Sequence, residues 1–587
     1  MRIFLSFAFA VAVTAAATVE LFDAAITTNV KATMRDGVKL ACDIYQPARN
    51  GVAINEKFPV IVSRSPYNKE GQRGEGTYFA NRGFVYVAQD CRGRFQSEGQ
   101  FYAFVNEGKD GYDTIEWAAS QPWSNGKVGT TGASYLGWVQ YHAAMYRPPH
   151  LEAMFANVAG SVLFDEYTYP GGPPNLAWPL WLLKSAETSR PGGAPELAAL
   201  HANPAAWLRL PSKDRLAIFQ DFPNHRQMYE DSIAHPTLDS YWQQKGFNSA
   251  LNFKEMKDVP VYILTGWYDP FVDGSIRNFT ALSKLQKAPK KIMIGPWLHS
   301  VGSNKLGDAD FGAFAMLDQK VIALDWFNHW LKQEPYKLIS QSPVRAFQME
   351  GYDGGRTPEG QLRAGGLWQE YQQWPARKAT VAGLFLSPSG KLIPNPLPGA
   401  KPLSYTYDPE DPVPTIGGGG STNTHTPNGW QDQVCSLRIL GCQSTGPLID
   451  RPDVFSFSSD PMRQPIVING PVRVKLWISS NAPDTDFTAK LVDVYPNGYA
   501  SGVLDGQLRT SYRNGPAKQL PMKPGTVYPI TIELGNISLN LLPRHRIRLD
   551  ISSSNFPKFE PNPRKARNTV YIDALHPSRL ELSVTEF

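Results

Sequence analysis

The sequence predicts a three-part chain: an α/β sheet covered by helices on both faces, a helical cap inserted into it, and a C-terminal β-sandwich. Three observations predict it. Short apolar strands alternate with helical segments over residues 28–146 and again over 256–340. Over 147–255 the strand-like runs give way to Trp178, Trp181 and Trp207 among Pro, Ala and Leu. From 345 to 587 alternating strands are separated by closely spaced turn residues, as in a jelly roll. A length of 587 residues exceeds what one core supports, so several domains are expected.

The elements follow in order. Residues 1–17 read as a signal peptide: Arg2 is the positive end, 3–13 an apolar stretch too short to span a bilayer, and 14–17 a small-residue run fit for cleavage. The chain is therefore expected to be secreted or periplasmic. No later segment is long and apolar enough for a membrane helix. Segments 38–45, 59–63, 84–89 and 127–131 read as strands and 111–120 as a helix between two of them. After the insertion, 259–265 and 291–294 are again compact β-prone runs, and 321–331 is an amphipathic helix. In the last part, 471–480 sets Val472, Val474, Leu476 and Ile478 against Arg473, Lys475 and Trp477, a strand with one buried face. Segments 546–552 and 568–573 behave similarly, and 417–420 opens a long loop.

Composition narrows the function classes. A net charge of +5 over this length is slight, and no Lys/Arg run resembles a nucleic-acid or lipid patch. Cys435 and Cys442 flank a short loop and can bridge in an oxidising compartment, whereas Cys42 and Cys91 lie in apolar, strand-like surroundings. No Cys/His spacing suggests a metal, and no cofactor motif is present. Nothing in the sequence sets an oligomeric state.

The chemistry centres on residues 126–137, Gly-Lys-Val-Gly-Thr-Thr-Gly-Ala-Ser-Tyr-Leu-Gly. A β-prone run meets a small-residue turn with Ser134 at its apex, and a helical segment follows; this is the context of a nucleophile elbow. The second glycine comes one place late, at Gly137, with Leu136 where a strict Gly-x-Ser-x-Gly motif has glycine. In the α/β hydrolase chain order an acid and then a histidine follow on loops after later strands. Asp269 follows 259–265 in Gly-Trp-Tyr-Asp-Pro, and His299 follows 291–294 in Gly-Pro-Trp-Leu-His-Ser. Of ten histidines, His299 alone comes directly after a β-run in a Gly/Pro-shaped loop. The backbone N–H of Tyr135 is one expected oxyanion donor, and the loop Ser65-Pro-Tyr67-Asn68 is placed to give a second.

These residues carry a resemblance. The chain is similar to the cocaine esterase / X-prolyl dipeptidyl-peptidase (CocE/NonD) hydrolases, which include α-amino acid ester hydrolases and glutaryl-cephalosporin acylases. The matching segments are Ser-Pro-Tyr-Asn-Lys (65–69), Gln-Asp-Cys-Arg-Gly-Arg-Phe-Gln-Ser-Glu-Gly (89–99), Asp-Gly-Tyr-Asp-Thr-Ile-Glu-Trp (110–117), Gly-Ala-Ser-Tyr-Leu-Gly (132–137), Gly-Trp-Tyr-Asp (266–269) and Gly-Pro-Trp-Leu-His (295–299). The resemblance implies that Gly-x-Ser-Tyr-x-Gly is the expected elbow, that Tyr67 donates its hydroxyl to the oxyanion, and that Asp90, Arg92 and Glu98 build the core around the site. It also implies the order hydrolase core, helical cap, jelly roll.

The substrate is expected to be a small ester or amide, or a short peptide. In α-amino acid ester hydrolases of this family, carboxylates just after the triad aspartate hold the substrate ammonium; here those places are Phe271 and Val272. An unpaired cation against that apolar pair costs several kcal/mol. Trp138, Trp267, Tyr268 and Phe271, with the cap tryptophans, suggest an apolar or aromatic acyl pocket, although core packing accounts for each equally well. Asp165 and Glu166, early in the cap, are the carboxylates left to offer negative charge, and a solvated surface position accounts for them equally well. The leading reading is a serine hydrolase of esters or amides with an uncharged apolar or aromatic acyl group. The alternatives are an X-Pro dipeptidyl-peptidase, a β-lactam (glutaryl) acylase, and, resting on the β domain alone, a non-catalytic carbohydrate-binding protein.

Overall fold

Residues 85–90 and 261–266, Val-Tyr-Val-Ala-Gln-Asp and Val-Tyr-Ile-Leu-Thr-Gly, are buried along their whole length, which suits strands with helices on both faces. The computed structural model describes residues 22–189, 200 and 202–586; the predicted signal peptide lies outside them. Besides the two-residue strand Val52–Ala53, eight strands among the described residues make the first part of the sheet: β1 (Asp23–Thr33), β2 (Lys39–Arg49), β3 (Phe58–Ser65), β4 (Val85–Asp90), β5 (Ser124–Ala133), β6 (Leu151–Asn157), β7 (Val261–Gly266) and β8 (Lys290–Gly295). Their order is β1-β2-β4-β3-β5-β6-β7-β8, antiparallel through the first three and parallel thereafter.

Helices α1 (Arg73–Ala80), α2 (Glu107–Ala119) and α3 (Tyr135–Ala144) precede the insertion, which carries α4 (Ala177–Glu187), α5 (Pro204–Arg209) and α6 (Pro223–Ala234). Helices α7 (Val272–Leu285) and α8 (Gln319–Lys332) complete the covering layers. Successive residues of the strands fall into two different cores, as the two-residue period requires. Val60, Val62, Val85, Val87, Met154 and Ile263 pack with Ile115, Tyr141 and Phe279 of α2, α3 and α7. Ile61, Tyr86, Phe155 and Tyr262 pack with Phe79 of α1 and Trp326 and Phe327 of α8.

One boundary needs correction. The helical insertion was expected from residue 147, but Leu151–Asn157 is a central strand, so the insertion begins after Asn157. Its Leu, Ala and Met residues are good helix formers, and only burial between two parallel neighbours makes the segment extended.

Strand β9 (Val344–Arg356) joins the two halves. Its start pairs parallel with β8, Val344 opposite Ile292, and its continuation pairs with β10 (Leu362–Tyr371) and with Leu539 and Asn540. The predicted alternating strand is the centre of Ile466–Ser480, where Val472, Val474, Leu476 and Ile478 are buried against an antiparallel partner, Tyr528–Leu541. A second sheet orders Phe455–Ser458, Arg546–Ser552, Asp486–Val494 and Ala500–Arg509. Cys435 and Cys442 form a disulfide, and Cys42 and Cys91 are free and buried. Among the described residues no helix is long and apolar enough to cross a membrane.

Candidate active site

Strand β5 ends at Ala133 and α3 begins at Tyr135, so Ser134 alone turns the chain. Its φ of 59° and ψ of −124° are rare for a residue with a side chain, and the turn is held by its N–H donating to the Asn157 carbonyl at 2.9 Å. Two glycines make the turn possible. A Cβ on Gly132 would lie 2.4 Å from Leu136 Cβ; one on Gly137 would lie 2.7 Å from the Asn157 carbonyl oxygen and 2.8 Å from Ala159 Cβ. The late second glycine is thus where the elbow helix crosses closest to β6.

The loops after β7 and β8 are zipped together: Trp267 N–H donates to the Gly295 carbonyl at 2.9 Å and Tyr268 N–H to the Trp297 carbonyl at 3.0 Å. This brings Asp269 and His299 into contact, with His299 Nδ1 2.8 Å from Asp269 Oδ1. Thr265 donates its hydroxyl to Asp269 Oδ2 at 2.8 Å, so both carboxylate oxygens are occupied, and the Asp269 side chain is fully buried. Nδ1 facing a carboxylate is the proton-bearing nitrogen, which leaves Nε2 as the base.

Tyr67 sits on the loop after β3, its N–H donating to Ser65 Oγ at 3.0 Å. The loop is anchored behind by Lys69, whose N–H donates to buried Asp90 at 2.8 Å and whose ammonium lies 3.1 Å from Asp43. Burial pushes the Asp90 carboxyl up to about 6. The Tyr67 side chain is partly open to solvent, yet burial dominates the environment of its hydroxyl. Burial there pushes the phenol up to about 12, with hydrogen bonds from Trp181 and from Ser134 opposing the rise. Trp181 Nε1–H donates to the Tyr67 oxygen at 2.9 Å. The N–H of Tyr135 is the first of α3 and has no intrahelical acceptor. Its side chain turns inward, where the hydroxyl donates to Glu107 and accepts from Phe104 N–H, each at 2.9 Å.

Six aromatic rings close a circuit beside these groups. Trp138 touches Phe271 (5.7 Å between centroids), Phe271 touches Tyr167 (5.3 Å), Tyr167 touches Trp178 (5.9 Å), Trp178 stacks on Trp181 (5.4 Å), Trp181 on Phe104 (6.3 Å), and Phe104 returns to Trp138 (5.6 Å). Phe271 also meets the His299 ring edge-on at 5.5 Å, while Trp181 reaches Tyr67. The β domain joins in through Thr422, whose hydroxyl is 2.8 Å from that of Tyr167.

Of the five residues expected around the substrate, Trp138 and Phe271 belong to this circuit. Trp267, Asp165 and Glu166 do not. Trp267 donates to the Phe347 carbonyl at 2.8 Å and packs on Trp374. Glu166 is bound by Arg277 at 2.8 Å and by Ser161 N–H at 2.8 Å, and burial raises its carboxyl to about 7. Burial also raises Asp165. All three lie along a cleft of about 1010 Å³ between core, cap and β domain, which Asp269 also borders and which Ser134, Tyr67 and His299 do not line. Phe104, Tyr167 and Thr422 were not singled out from the sequence, whereas Trp178 and Trp181 were, as cap tryptophans. The first three reach the site from segments far apart in the chain, and no local pattern marks them.

A hydroxyl on a strained turn, an imidazole oriented by a buried carboxylate and a phenol kept protonated are the groups that acyl transfer needs. Comparison with known proteins points to the same class of enzyme, a serine hydrolase. Residues 36–301 match the X-Pro dipeptidyl-peptidase (S15 family) and residues 337–581 the X-Pro dipeptidyl-peptidase C-terminal non-catalytic domain. The chain is 32% identical over 571 residues to the cocaine esterase of Rhodococcus sp. (strain MB1 Bresler), covering 92% of each. It shares its fold with an α-amino acid ester hydrolase (TM-score 0.76, 22% identity, 99% of this chain and 100% of that one). It does so too with a CocE/NonD family hydrolase from Staphylococcus aureus (TM-score 0.69, 18% identity, 95% and 93%). The chain belongs to the CocE/NonD family of serine hydrolases, an α/β hydrolase joined to a C-terminal β domain.

Proposed function

We propose that this protein is a secreted esterase or amidase that works through an acyl-enzyme on Ser134. His299 Nε2 takes the Ser134 proton as Oγ attacks the carbonyl carbon, and Asp269 stabilises the imidazolium. The Tyr67 hydroxyl and the Tyr135 N–H receive the oxyanion. Collapse of the tetrahedral adduct expels the alcohol or amine, which takes its proton from His299; water then repeats the sequence to free the acid. The observation that carries the reading is the 2.8 Å pairing of His299 with buried Asp269 on loops that meet the elbow helix through Phe271. Export is supported by the N-terminal pattern and by the Cys435–Cys442 disulfide.

The six-ring circuit supports an uncharged, aromatic or apolar acyl group. An X-Pro dipeptidyl-peptidase is the second reading, favoured by the descriptions of both matched family segments. It needs an anion for the substrate ammonium, and Glu166 is already committed to Arg277. p-Nitrophenyl benzoate and Ala-Pro-p-nitroanilide separate the two. Rapid turnover of the ester with little of the anilide is expected; turnover of the anilide alone overturns the esterase reading. Ser134→Ala is expected to abolish both turnover and labelling by a fluorophosphonate probe, and residual activity of that variant would falsify the nucleophile.

A further inference from the structure

Arg94 is 2% exposed, and among the described residues no carboxylate lies within ion-pair distance of it. Desolvating an unpaired charge is costly, so a guanidinium left this way calls for a reason. Its N–H groups find only neutral acceptors. Nε donates to the Pro66 carbonyl at 2.8 Å; Nη2 donates to the Ser185 carbonyl at 3.1 Å and to Thr188 Oγ1 at 2.9 Å; Nη1 donates to Ser189 Oγ. Phe101 and Phe95 place their rings 4.9 Å and 5.0 Å from it. The last turn of α4 presents the carbonyl end of a helix, which favours a cation there.

The acceptors belong to two segments that meet again elsewhere. Pro66 immediately precedes Tyr67. Ser185 lies one turn beyond Trp181 on α4, and Trp181 donates its indole N–H to the Tyr67 oxygen at 2.9 Å. Arg94 therefore clasps from below the two pieces that fix the Tyr67 hydroxyl from either side. With the lone pairs of that oxygen engaged by donors such as Trp181, its proton remains for the oxyanion that forms beside Ser134. A fixed positive charge nearby also favours negative charge gathering there, and it acts on Tyr67 itself in the same sense.

We propose that Arg94 is a positioning residue of the oxyanion site, holding the Tyr67 loop to the Trp181 helix and lending the site a buried positive charge that no carboxylate contacts directly. The inference rests on the Ser134 reading above. It goes beyond the family resemblance, which singles out Tyr67 and gives no role to residue 94.

The test compares Arg94→Met and Arg94→Lys in the full chain, alone and combined with Tyr67→Phe, using p-nitrophenyl benzoate. Arg94→Met is expected to lower kcat about tenfold or more with KM little changed, because the interaction counts in the transition state. Benzeneboronic acid, which forms a tetrahedral anion on the serine, is expected to bind more weakly by a similar factor. Once Tyr67 is phenylalanine, the same substitution has little left to remove, within about twofold. Arg94→Lys keeps the charge without the clasp and is expected to fall between the two; it carries the test if Arg94→Met does not fold. Wild-type kcat in Arg94→Met, or equal losses with and without the Tyr67 hydroxyl, overturns the proposal. Activity surviving in Ser134→Ala overturns the underlying reading instead.

Discussion

A tyrosine serves as an oxyanion donor only while it keeps its proton. Tyr67 keeps it because burial of its hydroxyl outweighs the Trp181 and Ser134 hydrogen bonds and the Arg94 charge that favour a phenolate, and its pKa rises to about 12. Trp181 fixes the oxygen without competing for that proton, since an indole N–H only donates. Removing the hydroxyl should therefore cost rate and spare binding. Tyr67→Phe is expected to lower kcat by roughly 10²–10³ with KM nearly unchanged, the usual result of losing one oxyanion donor. Steady-state kinetics on p-nitrophenyl benzoate checks it, and an unchanged kcat would remove Tyr67 from the site. Ser134, Asp269 and His299 were legible as candidates because each stands on a turn or loop directly after a β-run, in the order that an α/β sheet of this kind imposes. Trp181 and Arg94 were not legible as partners of Tyr67: the 114 and 28 residues that separate Trp181 from Tyr67 and Arg94 from Pro66 leave no periodic trace.

At the scale of the element, the elbow is a packing problem with two tight places. Leu136 fills the space facing Gly132, and α3 then passes so close to β6 that only a hydrogen fits at 137. Gly137→Ala forces its methyl against a backbone carbonyl and the Ala159 side chain, and neither the strand nor the turn can retreat cheaply. Overpacking of this kind costs about 1–3 kcal/mol. Urea unfolding is expected to show that loss, and fluorophosphonate labelling of Ser134 to fall with it as the turn shifts. Unaltered stability together with full labelling would mean that the crossing is looser than it looks. The neighbouring strand shows the limit of local reading. Leu151–Asn157 carries the helix-favouring residues Leu, Ala and Met, and its extended form comes from Thr130, Thr131 and the rest of β5 on one side and Val261–Gly266 on the other.

Across the whole molecule, β9 runs one sheet from the hydrolase core into the β domain, and the loop after residue 416 returns to the core. There a Cβ on Gly420 would lie 1.7 Å from the Tyr268 carbonyl oxygen, and Thr422 meets Tyr167 of the cap. The three textures of the sequence foretold three parts in their order, because each rests on local periodicity. The contacts among them depend on how finished parts dock, which periodicity does not encode. Glu166 shows the consequence. Read from sequence as a carboxylate either offered to a substrate or solvated on the surface, it is instead the buried tie between cap and core, wedged against Gly160 and Gly274 and paired with Arg277 of α7. Burial raises its pKa from the ordinary 4.5 to about 7, so between those values the folded chain holds a proton that the unfolded chain has released. The stability this proton confers is complete below pH 4.5 and is lost as pH rises through 7, a difference worth about 3 kcal/mol at full ionisation. Glu166→Gln cannot ionise and escapes the loss. Measured by thermal unfolding, wild type is expected to lose ground steadily to Glu166→Gln from pH 4.5 to pH 7 and to hold a constant gap above it. Parallel curves across that window would show that the carboxylate is already ionised in the folded protein, its charge fully met by Arg277 and the Ser161 N–H.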